Sequence, residues 1–348
     1  MRLRNQRHGT SRYCRASAGL AFLCVAAVPL PPPLTAQASQ HATLLVGSAS
    51  AHRSGPIYFD FELLAFGTPD QRTEAIISIS VDGSRLSPAV GSRGWGYGVA
   101  ARLELTRDGS VEAVATTITS LNCTGRLGSA HGVPVYLSAR IEPGVYGYRI
   151  EVTDAYRQRG NPTSRSEGRL VVPSFTGPGP LLTSLAVATD SVEDRWDGVP
   201  GGLQINPTHM VTDDAPPLIY FEVYGVSPGA SVWTDLTLEP LGEAGALDGL
   251  LRGRGRPFTI RYRDRAPADP ALPIRSTLRL ELADLRPGPY SIRAVVTEAD
   301  GGLPGLPMTS TLELVDAHRS GYSSVTCDDV SEESDEGRPR LDGAPTER

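Results

Sequence analysis

The sequence predicts an all-β protein built from two tandem immunoglobulin/fibronectin-III-like β-sandwich domains. Three observations lead there. Apolar residues recur with a period of two in several segments, Gly, Pro and Asp-Gly clusters separate those segments, and two stretches of the chain resemble each other. No long stretch shows helical periodicity.

Residues 1–38 read as a Sec-type signal peptide. Arg2, Arg4, Arg7, Arg12 and Arg15 precede an apolar run from Ala16 to Val28, prolines follow from Pro29, and Ala36-Gln37-Ala38 offers small residues for cleavage after Ala38. The run is shorter than the roughly 20 residues a spanning helix needs, so no transmembrane segment is expected after cleavage. The protein is therefore expected to be exported, and to reside in the periplasm, at the outer surface or outside the cell. A lead segment, 39–56, comes next.

The first sandwich is placed at 57–172. In Ile57-Tyr58-Phe59-Asp60-Phe61-Glu62-Leu63 the odd positions are apolar, as a half-buried strand requires. The alternation returns in Ile77, Ile79 and Val81, from Tyr97 to Leu105, and from Tyr146 to Val152. Asp108-Gly109 lies between two such runs and signals a hairpin. Residues 173–217 form an inter-domain segment whose Leu181–Ala188 run is apolar enough for an extra strand. The second sandwich occupies 218–315. Residues 316–348 hold nine acids and four arginines with few large apolar residues, and read as a disordered acidic tail.

The duplication rests on two matches. Ile57-Tyr58-Phe59-Asp60 aligns with Ile219-Tyr220-Phe221-Glu222 at an offset of 162, and Ile141-Glu142-Pro143-Gly144-Val145-Tyr146 aligns with Leu285-Arg286-Pro287-Gly288-Pro289-Tyr290 at 144. The difference, 162 − 144 = 18 residues, is expected to be lost from mid-domain loops of the second copy. In the Pro-Gly-x-Tyr element the tyrosine can bond its hydroxyl to upstream backbone, so Tyr146 and Tyr290 are expected to be tyrosine corners.

The chain has 348 residues and a formal charge of −6, and all 33 of its cations are arginine. Absence of lysine excludes a lysine nucleophile, a Schiff base and a P-loop lysine. An acidic balance argues against nucleic acid as a partner. The signal carries five positive charges and the tail 4 − 9 = −5, so the modest total conceals a basic leader and an acidic end. Cys123 and Cys327 remain after cleavage. They can pair in an oxidising compartment, or stay as two separate thiols, because the sequence does not supply their Cα separation.

Pro217–Gly225 and Pro143–Asp154 resemble the β-rich regions of bacterial secreted GWxTD domain-containing proteins. Ser164-Arg165-Ser166, Val171–Phe175 and Thr183–Ala188 are similar to that family in the same order. The GWxTD signature itself is absent: Gly94-Trp95-Gly96-Tyr97-Gly98 lacks Thr-Asp, and Val232-Trp233-Thr234-Asp235 lacks the Gly and the spacer. The resemblance implies an exported protein with no established catalytic residues to carry over.

No His-Glu-x-x-His or Cys-x-x-Cys occurs. His131 or His209 could join a distant Ser and Asp in a triad, which only geometry can reveal. Gly91–Gly98 invites a phosphate-loop reading, but a strand pattern follows instead of a helix. Trp95 and Tyr97 form a candidate stacking platform for sugar, or else cover and begin a core strand. Asp190–Asp197 is acidic but lacks the spacing of an EF-hand loop, so no metal or other cofactor is expected. Arg254, Arg256, Arg261, Arg263 and Arg265 form a candidate anion-binding face for surface polysaccharide or the acidic tail, or a solvated strand face. The function expected from these residues is a non-enzymatic binding or envelope-scaffold role, with an unknown protein or surface polysaccharide as partner. A carbohydrate-binding module is the second reading, and a hydrolase with a spatially assembled site the third.

Overall fold

A computed structural model describes residues 52–329 except 92–93, 129–130, 158–159, 161, 190–202, 213–214, 242–256, 283–284, 303 and 316–326. The signal segment, most of the lead, the acidic run 190–197, Arg254, Arg256 and the tail other than 327–329 lie outside the described residues.

The first half contributes β1 (His52–Ser54), β2 (Phe59–Gly67), β3 (Thr73–Asp82), β4 (Ala89–Gly91), β5 (Gly94–Arg107), β6 (Ser110–Cys123), β7 (Gly132–Ile141), β8 (Gly144–Asp154) and β9 (Thr163–Val172). Next come β10 (Leu181–Leu182), β11 (Ala186–Thr189), β12 (Gln204–Ile205), β13 (Met210–Thr212) and β14 (Leu218–Tyr224). The series closes with β15 (Ser231–Pro240), β16 (Phe258–Arg265), β17 (Ile274–Arg279), β18 (Gly288–Glu298), β19 (Met308–Val315) and β20 (Cys327–Asp329). Among the described residues there is no α-helix, and the protein is all-β.

These strands make four sheets. One runs β1-β9-β8-β5-β6-β20, with β4 beside β5, and faces β2-β3-β7 across a core that includes Phe59, Ile77, Val99, Leu103 and Ile150. Another runs β13-β19-β18-β15-β16 and faces β14, flanked by β10, β11 and β17, across a core of Val187, Phe221, Leu236, Ile292 and Leu314. All the pairings are antiparallel except β13 with β19. Asp108 (φ 50°) and Gly109 (φ 82°) take the positive dihedrals of a two-residue hairpin turn between β5 and β6. The other Asp-Gly pair behaves differently: Asp82 caps a 3₁₀ turn at Gly83–Arg85 through Ser84 N–H.

A third apolar cluster joins the two sandwiches. Leu64, Phe66 and Ile76 on the outer face of β2-β3-β7 pack on Ala186, Ala188, Leu203, Ile205, Leu218 and Tyr220. Both faces of β2 and of β14 are therefore covered, and β14 is buried from Leu218 to Val223. The Leu181–Ala188 run enters the second half's sheet as β10 and β11, interrupted at Thr183–Leu185.

Strand order in the two halves agrees at one offset and disagrees at the other. β2-β3-β7 with β9-β8-β5-β6 has the same order as β11-β14-β17 with β19-β18-β15-β16. That order sets β14 against β3, near the offset of 144, whereas the match at 162 aligned β14 with the edge strand β2. The alignment of Ile57–Asp60 with Ile219–Glu222, and with it the loss of residues from mid-domain loops, is corrected by the topology. Similar strand-like residues at sites of different sheet position produced it.

Candidate functional site

The seam between the sandwiches gathers polar side chains as well as apolar ones. On the outer face of β2, Glu62 is 3% exposed, and its Oε1 lies 2.9 Å from Nε2 of His209. His209 (φ 56°) sits in the turn before β13, where its N–H donates to Asn206 O and its carbonyl accepts from Glu313 N–H of β19. Burial opposes a charge on the imidazole, but the Glu62 carboxylate and the Thr311 backbone outweigh it and raise the His209 pKa. The pair thus ties β2 of the first sandwich to β19 of the second. Both Glu62 oxygens and His209 Nε2 are buried without an aligned hydrogen bond among the described residues, so their 2.9 Å approach is an electrostatic contact.

A second carboxylate faces the same seam from β14. Glu222 accepts from Tyr220 Oη at 2.6 Å, from Tyr224 Oη at 2.5 Å and from Arg275 Nε at 3.2 Å. Its N–H donates to Thr183 Oγ1 at 2.8 Å. Burial and the adjacent carboxylate push both tyrosine pKa values upward, so these hydroxyls stay protonated donors. Tyr224 Oη lies 2.8 Å from the Gly67 carbonyl, and Ala65 N–H donates to Ser184 Oγ at 3.1 Å, both crossing the seam. Tyr136 of β7 donates to Ile205 O at 3.4 Å, and burial raises its pKa too. Ser78 Oγ is also 3.4 Å from Ile205 O. Serine, histidine and carboxylate are neighbours here, but both faces are closed by sheets. This arrangement clamps two sandwiches, and His209 Nε2 is buried in it. His131 is held in a turn, its Nδ1 accepting from Gly128 N–H at 3.1 Å.

The outer faces carry the remaining candidates. Tyr97 is 2% exposed and its hydroxyl accepts from Leu127 N–H at 2.9 Å, which corrects the stacking platform: Tyr97 is core. Trp95 is half-buried against that core, with the Arg126 guanidinium 4.4 Å over its ring. Gly94–Arg107 is a strand, so Gly91–Gly98 forms no phosphate loop.

On β16, Arg261, Arg263 and Arg265 are exposed while Ile260 and Tyr262 turn inward. Trp233 of β15 lies opposite Arg263, with Arg261 and Arg263 at 5.0 and 5.8 Å from its ring centre. Arg261 Nε is 3.3 Å from Asp235, and Arg265 Nε donates to Gly229 O at 3.0 Å. Sequence reasoning passed over Trp233, although its position in a β15 run of period two, across from the arginine run, could have flagged it.

Cys123 and Cys327 are joined in a disulfide with Cα atoms 4.1 Å apart, and Trp95, Cys123 and Cys327 form one row across β5, β6 and β20. The Tyr146 and Tyr290 hydroxyls each donate to the carbonyl four residues upstream, Glu142 and Arg286, at 2.7 Å. Arg107 also donates to the Tyr146 hydroxyl and lies 4.4 Å over its ring centre. Among the described residues no cluster of His, Cys, Asp or Glu could hold a metal ion, and no helix is long and apolar enough to cross a membrane.

No protein-family model and no curated protein matches the chain. Solved structures with some likeness include the dimeric latent PorU of Porphyromonas gingivalis, 13% identical at a TM-score of 0.27, with 74% of this chain covering 20% of that one. Red sea bream transglutaminase is 10% identical at 0.21, covering 75% and 31%, and Salmonella alpha-2-macroglobulin reacted with methylamine is 11% identical at 0.20, covering 74% and 16%. The chain spans less than a third of each of these proteins, and likenesses at such scores carry no argument about function.

Proposed function

We propose that the chain is an exported, non-enzymatic β-sandwich protein that acts by binding, as a rigid scaffold of the cell envelope or surface. The observation that carries this reading is the seam. Glu62 and His209 face each other across it and Tyr224 and Ser184 bond to the backbone of β2, while Glu222 is occupied by Tyr220, Tyr224 and Arg275 within its own half. The basic, small-residue-terminated leader and the resemblance to secreted GWxTD domain-containing proteins support export. The test combines two measurements: the N-terminus of protein recovered from the cell envelope, expected at Ser39, and capture of partners by wild type and His209→Gln alike. Partner capture lost in His209→Gln while the fold is retained would contradict a purely structural seam.

The second reading, recognition of an acidic polysaccharide, is favoured by Trp233 flanked by Arg261 and Arg263 on an exposed sheet face. Guanidinium groups pair with carboxylates and an indole stacks on a sugar ring. Polygalacturonate binding at low salt should fall about tenfold in Trp233→Ala, the equivalent of about 1.4 kcal/mol. Equal binding by both proteins removes this reading.

A further inference from the structure

Strand β6 is the edge of its sheet. β5 pairs with one flank along its whole length, while on the other flank, among the described residues, β20 pairs only with Leu121–Cys123. Cys123 and Cys327 sit 4.1 Å apart at Cα, the spacing of a non-hydrogen-bonded antiparallel pair. Cys123 therefore turns its own N–H and C=O toward β5. By the two-residue period, Val114, Thr116, Ile118 and Ser120 direct theirs to the open flank.

Other long edges of the protein are guarded, as edges that must not pair usually are. β7 carries Pro134 and Arg140, β16 carries Arg261, Arg263 and Arg265, and β17 carries Arg275 and Arg279. The flank of β2 is bonded to Ser184 through Ala65. By contrast, Ala113-Val114-Ala115-Thr116-Thr117-Ile118-Thr119-Ser120 has no charge and no proline. Its outward face exposes Val114 (49%) and Ile118 (70%), the latter among the most exposed large apolar side chains described.

We propose that β6 is a homodimerisation edge, at which two copies of the chain pair antiparallel about a two-fold axis through Thr116. The period of two requires like faces to meet, so even residues oppose even residues. Centring on Thr116 sets Thr116 against its own copy and Val114 against Ile118, which makes each exposed apolar side chain the cross-strand neighbour of the other. The paired stretch runs from Ala113 to Thr119, stopping short of Glu112, which is skipped where β5 shifts its register, and it brings no like charges together. Centring on Ile118 would run the partner into β20, and centring on Val114 would run it into the irregular register where β5 shifts between Leu105 and Thr106. Centred on Thr116 the segment is complementary to itself, which is the condition for an isologous contact.

The test is sedimentation of the exported chain over a micromolar concentration series, beside Ile118→Arg, Thr116→Pro and a chain truncated after Asp329. The Thr116 N–H faces the open flank, so proline there removes no bond to β5. The expected result is a doubling of mass in the wild type and the truncated chain, with monomers in both point variants whose melting midpoint matches that of the wild type at dilutions where it is monomeric. Amide protection at Val114, Thr116 and Ile118 that rises with concentration should accompany the dimer. A wild type monomeric throughout, or a dimer that survives both point variants, overturns the proposal. A monomeric full chain whose truncated form dimerises assigns the edge to the C-terminal residues instead.

Discussion

Tyr146 and Tyr290 show what a single hydroxyl contributes in this fold. Each is almost fully buried at the start of a central strand and satisfies a carbonyl that would otherwise be stranded at the sandwich end. Tyr290→Phe should lower stability by about 1 kcal/mol, and Tyr146→Phe by more, because Arg107 loses one of its acceptors as well. Urea midpoints of the two variants give the comparison. His209 acts at the same scale through charge. Its pKa in the folded protein is raised, so its stabilising contribution is complete below its unfolded pKa of about 6.5 and is lost as pH rises through the raised folded value. A stability profile from pH 5 to 9 should fall on the alkaline side in the wild type and flatten there in His209→Gln. Removing the ring altogether, in His209→Ala, leaves Glu62 buried and uncompensated and should cost about 3–5 kcal/mol.

Elements add what residues alone do not. β20 contributes three residues, yet its disulfide closes a loop of 204 residues and pins the end of the chain to β6 of the first sandwich. In the chain-entropy account that closure is worth at most about 5 kcal/mol. Cys327→Ser should therefore lower the melting midpoint, and the loss should disappear when wild type and variant are compared under reducing conditions. β6 and β16 are both sheet edges, and their side chains divide the labour. Alternating arginines keep β16 solvated, whereas the uncharged run in β6 leaves its flank ready to pair.

At the scale of the whole molecule, the seam couples two sandwiches that each own a core. Leu64, Phe66 and Ile76 meet Ala186, Ala188 and Tyr220 there, and the Glu62–His209 and Tyr224–Gly67 contacts cross it. Exposing this surface would uncover a continuous apolar patch on both partners. Calorimetry should then show one unfolding transition for both sandwiches, with calorimetric and van't Hoff enthalpies equal. Leu64→Asp, which puts a charge into the seam, should split the transition in two. Two separate transitions in the wild type would mean that the seam contributes little.

The sequence by itself determined the strands, because period-two patterning and turn chemistry are local. Tyr97, Val99, Ala101, Leu103 and Leu105 are all buried, Asp108-Gly109 makes its hairpin, and Arg261, Arg263 and Arg265 share an exposed face as the alternation requires. The Pro-Gly-x-Tyr pattern likewise marked where Tyr146 and Tyr290 would bond. What only tertiary structure decided is which faces are covered. Glu62 read as the solvent side of a half-buried strand, yet a second sandwich packs on that side and sets it against a buried histidine 147 residues away, 209 − 62. Tyr97 was open to two readings, a stacking ring or the start of a core strand, and packing decided for the core, while Trp233 gained its arginine neighbours only through the register of β15 with β16. Alternation reports two faces of a strand; it does not report what will be laid against each of them, because that depends on strands distant in sequence.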